Sequence, residues 1–186
     1  MFFRSERLFL RPGWPEDWEE ILTRIDDEGV VRNLARAPWP YTAEHAKAFA
    51  AREQDPRQPN FMITLPTASG TALIGCAGLS DDPEAPGAIQ LGYWIARDHW
   101  GQGYATEAAR AVLCLARAIG HRRIVAHHFA DNPASGRVLR KAGFRPTGRR
   151  QTRFSLGRGG HAPSVGYEIE LDAVSDDGDD NMKRAA

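Results

Sequence analysis

At 186 residues the chain is long enough for one domain with a sizeable core and too short for two ordinary ones, at about 150 residues per domain. Its 24 basic and 24 acidic side chains cancel, which excludes a nucleic-acid binder working by bulk charge. With 42% hydrophobic and 26% charged residues the composition is neither disordered nor fibrous, and the longest apolar run, residues 111–116, is far below the roughly 20 needed for a membrane-spanning helix. The charge is nonetheless segregated: residues 1–96 carry −5, residues 97–160 carry +10 and residues 161–186 carry −5. An anionic partner is expected to meet the middle third. The first residues break their apolar character at Arg4 and Glu6, so no signal-peptide core is expected and the location expected is cytoplasmic.

Residues 7–11 alternate as a first strand, stopped by Pro12 and Gly13. Pro15, Glu16 and Asp17 then open an amphipathic helix carrying Trp18, Ile21, Leu22 and Ile25. After Pro38 and Pro40, Thr42 caps a helix with Ala46, Phe49 and Ala50 that ends near the proline-rich stretch 55–59. Residues 61–65 and 73–79 read as a hairpin joined by a turn at 67–70, and residues 88–95 as a fourth strand with Ile89, Leu91, Tyr93 and Ile95 on one face. Beyond Gly101 and Gly103 the apolar period changes from 2 to 3.6, predicting a helix over about 104–119 that ends at Gly120. Residues 124–129 form a short buried strand. Asn132 and Pro133 start a helix that runs to Ala142 with Gly143 behind it, and Phe144 returns the chain to extended structure with a last strand at 165–171. Residues 1–172 are expected to form one domain and the acidic segment 173–186 a disordered tail. Cys76 and Cys114 lie in apolar segments without CxxC or metal spacing, so both are expected to be buried core thiols. Strands alternating with helices in the second half, after a hairpin in the first, indicate a mixed α/β sheet.

The chemistry is expected at the crossover near residue 100. A strand, a turn with two glycines and a helix of good formers turn backbone N–H groups outward and add the helix N-terminus, at about 0.3–1 kcal/mol per dipole contact with an anion. The turn is neither a P-loop, since no GK[ST] follows, nor a dinucleotide fingerprint, since Thr106 stands where a third glycine would be. The segments Gly92-Tyr93-Trp94-Ile95, Trp100-Gly101-Gln102-Gly103-Tyr104-Ala105-Thr106-Glu107-Ala108, Asn132-Pro133-Ala134-Ser135 and Lys141-Ala142-Gly143-Phe144 together resemble GNAT-superfamily N-acetyltransferases. More narrowly, they resemble the RimJ/RimL-like branch, which acetylates ribosomal-protein alanine N-termini. The resemblance spans roughly residues 5–172.

It implies a GNAT fold: a mixed sheet of about six to seven strands, splayed between strands 4 and 5, with about four helices. Acetyl-CoA would lie in the opening as co-substrate. The resemblance assigns its pyrophosphate to the amides of Gln102, Gly103, Tyr104, Ala105 and Thr106, its pantetheine arm to the backbone of Trp94, Ile95 and Ala96, and a further contact to Asn132. Coenzyme A brings three phosphates, and the +10 field over 97–160 would attract it; Arg97, Arg137, Arg140 and Lys141 are the candidate cations.

The implied reaction is direct attack of a neutral amine on the thioester, which needs a proton acceptor, a polarised carbonyl and a proton for the thiolate. A backbone N–H near Ile95 would meet the carbonyl. Where many members carry a tyrosine acid seven positions beyond the asparagine, this chain has Leu139, so Ser135 is the candidate proton donor. A glutamate base that the branch often carries is replaced by Gln90, which leaves His127, His128 or Glu168. Adjacent histidines on a strand point to opposite faces, so at most one aims at the site. With His121 and His161 they show no metal-ligand spacing, and no metal is expected. Weak base equipment favours an α-amine, with a pKa of about 7.7–8.0, over a lysine amine near 10.4. Trp14, Trp18, Trp39 and Tyr41 lie where the family builds its acceptor site, and they suit core or homodimer packing equally.

The partners implied are acetyl-CoA and an amine acceptor, a protein N-terminus or a small molecule, with no membrane and no nucleic acid. A catalytically silent CoA- or acyl-CoA-binding module is the alternative that Leu139 and Gln90 leave open. A ribosome- or RNA-associated role for the basic segment is a third.

Overall fold

Alternation along the central strands sends neighbouring side chains to opposite faces, and helices cover both. The computed structural model describes residues 1–68 and 70–171, and the acidic segment 173–186 lies outside the described residues. Among the described residues eight strands form one mixed sheet: β1 (Phe3–Arg4), β2 (Phe9–Arg11), β3 (Asn60–Thr67), β4 (Gly70–Asp81), β5 (Ile89–Ile95), β6 (Arg123–Phe129), β7 (Arg145–Ser155) and β8 (Gly160–Glu170). Their spatial order is β1-β2-β3-β4-β5-β6-β8-β7, antiparallel throughout except for the parallel pair β5 and β6. The helices are α1 (Trp18–Ile25), α2 (Glu28–Val31), α3 (Ala43–Ala50), α4 (Tyr104–Ala118) and α5 (Pro133–Lys141).

The expected fold class holds, with two strand differences. The two-residue β1 pairs with β2 ahead of the first expected strand, so the splay expected between strands 4 and 5 falls between β5 and β6. The segment after Phe144 makes two long strands, β7 and β8, paired as a hairpin. The extra helix, α2, is a single turn whose N-cap Asp27 accepts the Val30 N–H at 3.1 Å.

Phe61, Ile63, Ala77, Leu91 and Ile95 pack against Ala108, Ala109, Val112 and Ala116 of α4 and Leu139 of α5. On the other face Met62, Cys76 and Trp94 meet Ile21 and Ile25 of α1, Val30 and Val31 of α2, and Ala46 and Ala50 of α3. Each large side chain buried in this way, such as Ile21 or Leu139, stabilises the fold by about 1.5–3 kcal/mol. Cys76 is buried, as expected, but Cys114 is exposed. It shares the solvent stripe of α4 with Arg110 and Arg117, four residues before it and three after, so helical periodicity overrides its apolar type.

Candidate functional site

The two parallel strands touch at one register pair, Gln90 with Val125. Beyond it β5 stays paired to β4 and β6 to β8, and the strands part toward their C-terminal ends. At the end of β5 a 3-10 turn (Arg97–His99) leads into Gly101 and Gly103, with φ of +76° and +85°. Both lie in the left-handed region that favours glycine, and Gly103 caps α4 without a side chain, which leaves the turn's backbone donors uncovered. Of the five expected pyrophosphate donors, the Thr106 N–H bonds the Gly103 carbonyl at 3.0 Å, whereas Tyr104 and Ala105 stand ahead of the first intrahelical bond.

A fastening that sequence reasoning missed holds this turn. Arg7 donates from Nη1 to the Gln102 carbonyl at 3.0 Å, from Nε to Glu107 Oε2 at 2.8 Å and from its backbone N–H to Glu107 Oε1 at 2.7 Å. The Ser5 hydroxyl adds a bond to Oε1 at 2.7 Å, and the Arg7 guanidinium lies 4.6 Å from the centre of the Tyr104 ring. Burial works to raise the Glu107 carboxyl, but the Ser5 hydroxyl and the Arg7 donors together hold it below the usual carboxylate range.

Among the expected pantetheine contacts, the Ala96 N–H is committed to Ile74 O at 2.8 Å, and the Ile95 carbonyl accepts the Trp100 indole N–H at 2.7 Å. The Trp94 carbonyl packs on Gly75, where a Cβ would fall 2.1 Å from its oxygen. The candidate phosphate cations are divided. Arg97 pairs with Asp27 at 3.2 Å and Arg140 donates to the Tyr167 hydroxyl at 2.9 Å, while Arg137 and Lys141 are exposed.

The opposite wall is the start of α5. The Asn132 side chain caps the helix by accepting the Ser135 N–H at 3.2 Å. The Ser135 hydroxyl lies 2.7 Å from that of Tyr93, so a hydrogen bond runs from β5 to α5 across the parted strands. Burial pushes the Tyr93 phenol up to about 12; the bond to Ser135 works against this and nearby Tyr167 adds to it. Sequence reasoning placed Tyr93 on a strand face and missed this contact, although its position two residues before Ile95 in the quoted motif was a usable signal. Leu139 is 1% exposed and belongs to the core.

The three base candidates are separated. His127 Nε2 donates to the buried Asp82 carboxylate at 3.0 Å, while Asp82 also takes the Arg153 guanidinium, which reaches Glu84 at 3.1 Å. His127 Nδ1 is buried without a hydrogen-bond partner. Burial first, then the charge of Arg153, push its pKa below 6.5, and Asp82 opposes them. His128 faces the other way, with Nδ1 donating to the Phe129 carbonyl at 2.8 Å and its ring 5.5 Å from that of Tyr167. Glu168 is ion-paired with Arg123, and the Gln90 amide donates to Ser80 Oγ at 3.3 Å and to the Asp81 carbonyl at 3.2 Å.

Of the four aromatics, Tyr41 is buried in the α1–α3 layer, Trp18 stacks under Lys47, Trp14 under Arg11, and Trp39 is exposed. Among the described residues no group of three or more His, Cys, Asp or Glu side chains is placed to hold a metal, and no helix is long and apolar enough to cross a membrane.

Comparison with known proteins agrees with this geometry. The acetyltransferase (GNAT) domain family matches residues 7–145. The chain is 31% identical over 149 residues to the uncharacterized N-acetyltransferase YoaA of Bacillus subtilis, covering 77% of this chain and 82% of that one. Its fold is similar to that of a GNAT-family acetyltransferase from Bacillus anthracis, with a TM-score of 0.76 and 24% identity over 91% of this chain and 98% of that one. It is also similar to that of RimL, a ribosomal L7/L12 α-N-protein acetyltransferase in complex with coenzyme A, with a TM-score of 0.74 and 19% identity over 93% and 99% of the two chains. The chain belongs to the GNAT acetyltransferase family and is an acetyl-CoA-dependent N-acetyltransferase.

Proposed function

We propose that this enzyme acetylates an α-amine, such as a protein N-terminus, by direct transfer within a ternary complex, and that the parted ends of β5 and β6 form its active site. The observation that carries this reading is the hydroxyl pair Ser135 and Tyr93, set across the parted strands at the start of α5. Bound acetyl-CoA supplies a thioester that the acceptor amine attacks, so the protein must place the donor, receive the amine proton and stabilise the departing sulfur. The amides of the Gln102–Gly103–Tyr104–Ala105 stretch, with Thr106 closing the helix behind them, hold the pyrophosphate by backbone N–H groups and the helix N-terminus. Trp94, Ile95 and Ala96 form the edge along which the pantetheine lies, Asn132 fixes the opposite wall, and exposed Arg137 offers a cation. Ser135 donates to the thiolate, and the amine proton passes by way of water to His127, whose Nε2 is held by Asp82 and whose Nδ1 is buried.

The acceptor class follows from the poverty of the base. Gln90 is an amide, Glu168 is occupied by Arg123, and the one free nitrogen of His127 is buried. An α-amine with a pKa near 8 is roughly a quarter neutral at pH 7.4, whereas a lysine amine is neutral about one time in a thousand. This site therefore suits an acceptor that arrives already deprotonated. RimL, to which the fold is similar, is an α-N-protein acetyltransferase, which supports the same class.

The test is transfer from acetyl-CoA to three sets of acceptors, read by mass spectrometry: peptides with free N-termini, N-terminally blocked peptides with internal lysines, and small amines such as polyamines and aminoglycosides. Efficient acetylation of the first set is expected. Transfer confined to lysines or to small amines overturns the α-amine assignment, and no transfer to any set, with acetyl-CoA bound, favours a silent binding module.

A further inference from the structure

We infer that Tyr93 is the positioning residue of the thiolate-stabilising step: its hydroxyl donates to Ser135 Oγ and so frees the Ser135 proton to point at the sulfur. The inference rests on the assignment of Ser135 made above. A serine hydroxyl has one proton and can aim it at a ligand only if it is not spent on a neighbouring acceptor. Ser135 lies in the first turn of α5, where such a hydroxyl readily turns back to local backbone. Tyr93 supplies the competing contact. Its hydroxyl sits 2.7 Å from Ser135 Oγ and 3.3 Å from the Ser135 carbonyl, and the shorter line identifies Oγ as its better acceptor.

Burial of the phenol keeps Tyr93 protonated at every working pH, so it serves as a permanent donor and not as an acid. The residue comes from β5, on one side of the opening, and Ser135 from α5, on the other, so the hydroxyl that Leu139 cannot provide reaches the site from the strand. In the reaction the C–N bond forms as the C–S bond breaks, and the C–S electron pair passes to sulfur. The proton lost by nitrogen balances the one gained by the thiol, so Ser135 and Tyr93 end the cycle with their own protons.

The experiment is a double-mutant cycle in kcat and in KM for acetyl-CoA, using Tyr93→Phe, Ser135→Ala and the double variant in the full chain. Thermal unfolding and coenzyme A binding are measured on each. Tyr93→Phe keeps the ring, and the expected result is kcat lowered about tenfold, the equivalent of losing one productive hydrogen bond, with KM within twofold. Ser135→Ala is expected to lower kcat at least as much, and the double variant to equal Ser135→Ala alone. A purely structural role for Tyr93 gives additive losses and overturns the inference. If Ser135→Ala lowers kcat and Tyr93→Phe does not, the serine assignment stands and this inference falls. If Tyr93→Phe lowers kcat and Ser135→Ala does not, the serine assignment fails and Tyr93 acts without it. If neither lowers kcat, both fail. Should Tyr93→Phe unfold the protein, 3-fluorotyrosine at position 93 repeats the comparison with a stronger donor that stays protonated, and an unchanged kcat there overturns the inference.

Discussion

The carboxylate of Glu107, in the first turn of α4, binds both the backbone and the side chain of Arg7, one hundred residues earlier, and the same guanidinium reaches the Gln102 carbonyl of the glycine turn. Arg7 is 43% exposed on its side chain, so the ion pair alone is worth little to stability, about 0–1 kcal/mol. Its expected effect is on the shape of the turn. Arg7→Ala and Glu107→Gln should each raise KM for acetyl-CoA about three- to tenfold while leaving kcat within twofold, the kinetic equivalent of about 0.7–1.4 kcal/mol of binding. Steady-state kinetics at saturating acceptor reads this directly, and a fall in kcat at constant KM would contradict it.

The role proposed for His127 has a pH signature. Its folded pKa lies below 6.5, so between those two values the unfolded chain binds the proton and the folded chain does not. The stability involved is complete above about pH 6.5 and falls as the pH drops through that window. Urea titrations at pH 7.5 and 5.5 should accordingly show the wild type losing more stability on acidification than His127→Gln does, and with the acceptor amine saturating in its neutral form the acid limb of kcat is expected below pH 6.5. A kcat limb that persists unchanged in His127→Gln would remove His127 from the role of proton acceptor, and equal stability losses in the two proteins would contradict its placement.

Gly75 and Gly92 face each other's strands and predict opposite outcomes. A Cβ at Gly75 would stand 2.1 Å from the Trp94 carbonyl and 3.0 Å from Ile95 Cα, both backbone atoms, whereas a Cβ at Gly92 meets nothing within 4 Å. Gly75→Ala should therefore force β4 from β5 and cost about 2–4 kcal/mol in denaturant unfolding, and Gly92→Ala should stay within about 0.5 kcal/mol. Equal effects at the two positions would show that strand entropy, and not the close approach, sets the cost.

The two cysteines are distinguishable by reagent. Burial pushes the Cys76 thiol up to about 12, while Cys114 is exposed on α4. A thiol reagent is expected to titrate one group in the native enzyme and two after denaturation, with the native signal lost in Cys114→Ser. Two rapidly reacting native thiols would contradict the placement of Cys76.

Local chemistry made much of this architecture legible. Gly101 and Gly103 announced a left-handed turn before a helix, Asn132 and Pro133 a capped helix start, and the 3.6-residue stripe through Val112 and Ala116 a helix whose bounds agree to within a residue. What stayed hidden was pairing across distance. Tyr93 and Ser135 are 42 residues apart, Asp82 and His127 are 45, Asp82 and Arg153 are 71, and nothing in a linear pattern joins them. The single turn of α2 is too short to show a period, and β7 offers no alternation because its run 145–150 is mostly polar and mostly exposed. Cys114 was misplaced by trusting residue type over stripe, although Arg110 and Arg117 marked that stripe as wet. The +10 segment also changes meaning. Arg97 pairs with Asp27, Arg153 with Asp82 and Glu84, and Arg123 with Glu168, so much of the segregated charge recombines in three dimensions.

The single register contact between Gln90 and Val125 makes the sheet a five-strand slab and a three-strand slab meeting at a seam. A ligand lodged in that seam is mortar as well as reagent, because it grips both slabs where the backbone does not. At a hundred times its dissociation constant such a ligand adds about 2.7 kcal/mol to the folded state. With the acyl donor seated there as proposed, its supply is expected to set how long the catalyst lasts as well as how fast it turns over.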